Sequence, residues 1–150
     1  MGLQDKLRED LKLALRQQDA CRLSIIRVML AECRNEEKAR MHAPLSEGEV
    51  IDVLSREARR RNESIDAFRA GNRPDLVQEQ EAALAVVREY LPAQMSRDEL
   101  VKLAREAVVA VGASGLKDKG KVMSHLMPMV KGKAEGKDVN EVVMGLLSEM

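Results

Sequence analysis

The chain has 150 residues, 45% of them apolar, but Phe68 and Tyr90 are its only aromatic residues. A core must therefore be built from Leu, Val, Ile, Met and Ala, mostly helix-compatible types, which counts against an all-β fold. Twenty-five basic residues balance 25 acidic ones, so a globally basic nucleic-acid binder is disfavoured and local charge patches become the question.

At this length a single domain or two small helical lobes are expected. The opening residues include Asp5, Lys6, Arg8, Glu9 and Asp10, which leaves no apolar signal core there. No uncharged run approaches the ~20 residues of a membrane span. A cytoplasmic protein without membrane attachment is the expectation; Lys6 also stands where myristoylation of Gly2 would require Ser or Thr.

Apolar residues recur at helical spacing along almost the whole chain. Leu3, Leu7, Leu11, Ala14 and Leu15 form a first amphipathic stripe. A second helix, from about Cys21 to about Arg40, carries Leu23, Ile26, Leu30 and Cys33, widened by Ile25, Val28 and Met29. So broad a stripe predicts packing on more than one side and places this helix at the centre of the N-terminal lobe. Cys21 and Cys33 on one helix are separated by roughly 18 Å of rise, too far for a disulfide, and read as free thiols of a reducing compartment.

Ser46 with Glu49 spells a capping box, opening a long helix through Ile51, Leu54, Ala58, Ile65 and Phe68 that stops at Gly71. Pro74 begins a fourth helix, with Leu76, Ala83, Tyr90 and Val77, Leu84, Leu91 repeating every seven residues until Pro92. These two helices should form an antiparallel hairpin. On the third helix, Arg59, Arg60 and Arg61 fan out around the axis, while Asp52 with Arg56 and Glu57 with Arg61 are spaced for pairing. A salt-bridged solvent face is favoured there over a phosphate site, with Arg61 near enough to the apolar stripe to pair across helices.

The lobe boundary is expected between Pro92 and Met95, giving lobes at residues 1–92 and 96–150. Ser96 with Glu99 repeats the capping box and starts a stripe of Leu100, Leu103, Ala104, Ala107, Val108 and Val111. Between Gly112 and Lys137 lie Lys117, Lys119, Lys121, Lys131, Lys133 and Lys137 against only Asp118 and Glu135, an excess of four positive charges in a neutral chain. A short helix through Val122, Met123, Leu126 and Met127 is embedded there, which Pro128 should kink or end. Asp138 is expected to cap a last helix through Val139, Val142, Val143, Leu146, Leu147 and Met150. The fold class is thus all-α: a four-helix N-terminal lobe with a long hairpin, then a three-helix C-terminal lobe joined by glycine- and lysine-rich turns.

Lysines on glycine-rich backbone can approach a polyanion, with Gly120, Gly132 and Gly136 allowing close backbone approach. A solvated linker with ordinary surface charge is the alternative reading. The lack of interleaved aromatics points away from single-strand stacking and towards shape and backbone recognition. Gly115 to Val122 also matches the glycine and lysine positions of a P-loop, with Val108 to Val111 as its possible strand. Against that, Val122 replaces the magnesium-binding Ser or Thr, and no second strand supplies an acid for the metal. His42 and His125 stand apart from other ligands, and the methionines read as core filler. No catalytic residue, metal site or cofactor is expected.

The run Val111-Gly112-Ala113-Ser114, Gly120-Lys121-Val122-Met123, Met127-Pro128, Val130 to Gly136 and Val139-Asn140 closely resembles the signature of the YqeY family. Leu54-Ser55-Arg56-Glu57, Asn72-Arg73, Asp75-Leu76-Val77 and Tyr90-Leu91-Pro92 extend the resemblance over essentially the whole chain. The same architecture forms the C-terminal tail of the ATP-using component of the glutamyl/aspartyl-tRNA amidotransferase. The resemblance implies a two-lobe helical fold and a tRNA-binding accessory role, partnered by an aminoacyl-tRNA amidotransferase or synthetase. In the amidotransferase, glutamine-dependent carbon–nitrogen ligation resides in other parts. Support of that ligation by this chain, and a protein-interaction adaptor without nucleic acid, are the competing readings.

Overall fold

A computed structural model describes residues 2–150, and every regular element among them is helical. Seven α-helices run in chain order: α1 (Leu3–Arg16), α2 (Ala20–Ala39), α3 (Glu47–Ala70), α4 (Pro74–Arg88), α5 (Arg97–Val111), α6 (Lys119–Val130) and α7 (Gly136–Ser148). A single 3-10 turn, Leu116–Asp118, precedes α6. The chain divides into two compact units, Met1–Pro92 and Ala93–Met150, each with its own apolar core.

In the first unit α2 packs against α1, α3 and α4. Its Ile25, Ile26, Met29 and Cys33 are buried, as the wide apolar stripe requires. They meet Leu7 and Ala14 of α1, Val50, Val53, Leu54, Ala58 and Ile65 of α3, and Ala83, Leu84, Val86 and Val87 of α4. Each fully buried aliphatic side chain here contributes about 1.5–3 kcal/mol relative to exposure. Burial pushes the Cys33 thiol up to about 11, so it stays protonated and packs as a small apolar group; Cys21 is exposed.

The Ser46 and Ser96 capping boxes form as the sequence dictates. Each serine hydroxyl accepts from the backbone N–H three residues on, at 3.2 Å in both helices, and the glutamate there accepts from the serine N–H.

Several local expectations are revised. Helix α4 ends at Arg88, short of Pro92, so Tyr90 sits in the following turn. Tyr90 is nevertheless buried, its hydroxyl donating to Asp10 of α1 at 2.5 Å, and burial holds its phenol above the usual range. The neighbouring Glu89 carboxylate accepts from the Arg22 guanidinium of α2 at 2.5 and 3.1 Å. Helix α6 continues past Pro128 to Val130, which is part of the core, so the proline does not end it. Asp138 lies in the first turn of α7 and is not its cap; the cap position belongs to Glu135, without a side-chain bond.

Gly71 stands just past the end of α3, as expected. Its φ is −83°, ordinary right-handed backbone, while the next residue, Asn72, adopts the left-handed φ of 55°. Asn tolerates that region better than most residues. A Cβ on Gly71 would meet the Ala67 carbonyl at 3.5 Å, ordinary contact. Gly71→Ala is therefore expected to raise unfolding stability by about 0.4–1 kcal/mol through the lost freedom of the unfolded chain, read as a higher urea midpoint.

Candidate nucleic-acid interface

The second unit presents the lysines. Helix α5 ends in Gly112 at φ 67°, a left-handed position suited to glycine, and Ala113 N–H returns to the Val108 carbonyl at 3.0 Å. The loop beyond it is ordered by Asp118. That carboxylate accepts from Ser114 N–H at 2.8 Å and from its hydroxyl at 3.2 Å, and these bonds hold it below the usual carboxylate range. Lys121 Nζ lies 3.8 Å from the same group. One of the two acids of the basic segment is thus committed to the loop, and α6 opens without a side-chain cap.

Helix α6 buries Val122, Leu126 and Val130 and exposes Lys121, Ser124, His125, Pro128 and Met129 on its other side. Its twelve residues contain no Asp or Glu. Lys117 and Lys121 are exposed at its N-terminal end, with Lys119 half-buried.

At the other end the chain turns sharply at Gly132, whose φ of 76° makes glycine the suitable residue. Lys133 and Ala134 N–H both donate to the Val130 carbonyl, at 2.8 and 3.1 Å. From 38 residues away, the Gln94 side-chain amide donates to the Gly132 carbonyl at 2.9 Å, and Met95 N–H donates to the Lys133 carbonyl at 2.8 Å. The lysine turn is therefore a pinned structure, not a slack linker. Exposed Lys131, Lys133 and Lys137 surround it, the last in the first turn of α7.

The six lysines thus fall into two sets at opposite ends of α6, separated by roughly 18 Å of helix. Each set can address a separate run of phosphates. Of the three glycines expected to permit backbone approach, only Gly132 needs its conformational freedom. Gly120 and Gly136 lie in first helical turns, with nothing within 4 Å of where a Cβ would sit, so they contribute open surface.

The P-loop reading fails on its frame: Val108 to Val111 complete α5, so a helix precedes the glycine-lysine run where a strand is required. The arginine cluster is a network of ion pairs. Arg61 donates to Glu57 at 2.9 Å and reaches Gln80 of α4 at 3.1 Å, while Arg60 meets Glu57 at 2.9 Å and Glu32 of α2 at 3.0 Å. Arg56 pairs with Glu36 of α2 at 3.1 Å, an interhelical contact. Arg40 pairs with Glu36 and Glu49, and the guanidinium groups beside Glu36 hold its carboxyl below the usual range. Among the described residues no three His, Cys, Asp or Glu side chains gather as a metal would require. None of the helices is long and apolar enough to cross a membrane.

Sequence reasoning missed Gln94 and Met95 as supports of the lysine turn, because no local pattern reports a contact across 38 residues. The Ser114–Asp118 pair, four residues apart, was within reach of a turn signal.

The family model described as Yqey-like protein matches residues 4–147. The protein named "Altered inheritance of mitochondria protein 41, mitochondrial" of Pyrenophora tritici-repentis is 31% identical over 149 residues, covering 92% of this chain and 79% of that relative. Relatives of the same name from Eremothecium gossypii, 33% identical, and Saccharomyces cerevisiae, 31% identical, match over 58% and 57% of this chain. In those two the match spans about half of the relative's own length, 48% and 46%.

Proposed function

The chain belongs to the YqeY family, and from that premise we propose that it is a tRNA-binding accessory module without self-contained catalysis. The observation that carries the reading is the charge placement. A chain of zero net charge concentrates six lysines at the two ends of one carboxylate-free helix. Phosphate contacts from lysine release counterions, so the binding this surface supports is strongly salt-dependent and indifferent to base sequence. The likeness to the amidotransferase tail makes tRNA the polyanion of choice, and an amidotransferase or synthetase acting on that tRNA the partner class. The protein's place in this reading is the cytoplasm, in keeping with free Cys21 and Cys33; the names of the fungal relatives assign those proteins to mitochondria.

Crosslinking the protein in cells and sequencing the attached RNA tests the reading. Enrichment of tRNA over other RNA is expected. Recovery of protein partners alone, insensitive to ribonuclease, would instead make the chain an interaction adaptor.

A further inference from the structure

Helix α2 carries three acids, and each is drawn to a neighbouring helix. Glu32 pairs with Arg60 at 3.0 Å and Glu36 accepts from Arg56 at 3.1 Å, both arginines on α3, while Glu37 accepts from the Gln4 amide of α1 at 2.8 Å. Ile25, Ile26, Met29 and Cys33 enter the core. At 3.6 residues per turn, the side opposite those four holds Ser24, Arg27, Ala31, Arg34 and Asn35. All of these are exposed except Ala31, which is half-buried.

Between Ser24 and Asn35 the only charges on this side are the Arg27 and Arg34 guanidinium groups, about 10 Å apart along the axis. Among the described residues neither has a carboxylate partner. Other arginines of the unit are neutralised, Arg22 by Glu89, Arg69 by Glu81 and Arg73 by Asp75. Arg27 and Arg34 are left charged on a side that every acid of the helix has vacated. A protein interface is built on apolar anchors, and the middle of this side offers only the methyl group of Ala31. Its chemistry fits a row of anions instead. A guanidinium takes phosphate oxygens in pairs, the small Ala31 lets a chain come close between the two arginines, and Ser24 and Asn35 add hydrogen-bond donors. A phosphate backbone meets no carboxylate there.

Resting on the tRNA-binding reading above, we propose that the outer side of α2 is a further phosphate-binding face, in the N-terminal unit, where Arg27 and Arg34 each hold a phosphate of the RNA backbone. The N-terminal unit then contributes affinity of its own and is more than a mount for the lysines.

The test uses the full chain and tRNA across a salt series. Arg27→Ala with Arg34→Ala should weaken binding by roughly fivefold to twentyfold near physiological salt and reduce the slope of log affinity against log salt by about two. Both side chains are exposed, and an unchanged thermal midpoint checks that the fold persists. Arg69→Ala with Arg73→Ala removes the same formal charge from arginines already paired with carboxylates and should cost less than about twofold. Arg27→Lys with Arg34→Lys keeps the charges but not the paired hydrogen bonds, so the slope should stay near that of the wild type with an affinity loss of roughly threefold or less. Poly-glutamate, standing for an acidic protein, should bind the wild type more weakly than tRNA does.

Unchanged tRNA affinity in the Arg27 and Arg34 alanine variant, equal losses in the two alanine pairs, or failure of the lysine pair to keep the slope would each overturn the inference. So would poly-glutamate binding that matches tRNA and falls in the Arg27 and Arg34 variant while tRNA binding does not, which would make this side a seat for an acidic protein. The tRNA-binding reading survives any of these outcomes as long as the wild type binds tRNA in a salt-dependent manner. If the wild type binds no tRNA, both fall.

Discussion

Full-length protein carrying Lys131→Ala, Lys133→Ala and Lys137→Ala is expected to bind tRNA roughly tenfold to a hundredfold more weakly near physiological salt, with the slope of log affinity against log salt reduced by about two to three. The reason is that these side chains surround a turn that Gln94, Met95 and Val130 hold in place, so their charges are presented with little ordering cost on binding. All three are exposed, and their removal should leave the thermal midpoint nearly unchanged. A control replacing exposed Lys12, Lys38 and Lys102 removes the same charge elsewhere. Filter binding or fluorescence anisotropy across a salt series separates the two sets. Equal losses would mean diffuse attraction to the whole protein, and no loss in either would remove the lysine turn from the interface.

The largest effect on stability is expected at Glu57. Its side chain is 7% exposed, and its two oxygens accept from Arg60 and Arg61 at 2.9 Å each. Arg61 is itself 18% exposed, so Glu57→Ala strands a largely buried guanidinium and opens space beneath it. The expected cost is about 2–4 kcal/mol, set by the uncompensated charge more than by the net worth of the pair. Arg60→Ala, by contrast, removes a partner that is 54% exposed and should cost less than about 1 kcal/mol. Tyr90 is the only tyrosine and is buried in the same core, so its fluorescence during urea unfolding reports the unit that contains Glu57. A Glu57→Ala midpoint indistinguishable from that of Arg60→Ala would show that the buried pair carries no such load.

Much of the local structure was legible because it is encoded within three or four residues. Ser46 with Glu49 and Ser96 with Glu99 announce helix starts through a bond each pair makes with itself. The 3.6-residue recurrence of Leu, Ile and Val likewise marks which side of each helix is buried. Glu57 with Arg61 was visible on the same grounds. Readings went astray where a local rule competed with a distant partner. Tyr90 lies beyond the end of α4 yet is buried, bonded to Asp10 of α1, and α6 runs on past Pro128 to Val130, which is part of the core.

The candidate interface divides along the same line. Its lysines, its glycines and its lack of aromatics are compositional and stand in the chain as written. Their grouping is not compositional: it follows from the length of α6 and from a turn held by residues 38 positions away.

By itself, the sequence determined that this protein is built of helices, where most of them begin, and which segment carries the excess positive charge, since these depend on near neighbours and on residue type. Only the tertiary structure decided which helix faces meet, that Glu57 is buried, and that the lysines stand in two sets at the ends of a carboxylate-free helix. Those outcomes are sums over contacts between residues far apart in the chain, and no local window contains them.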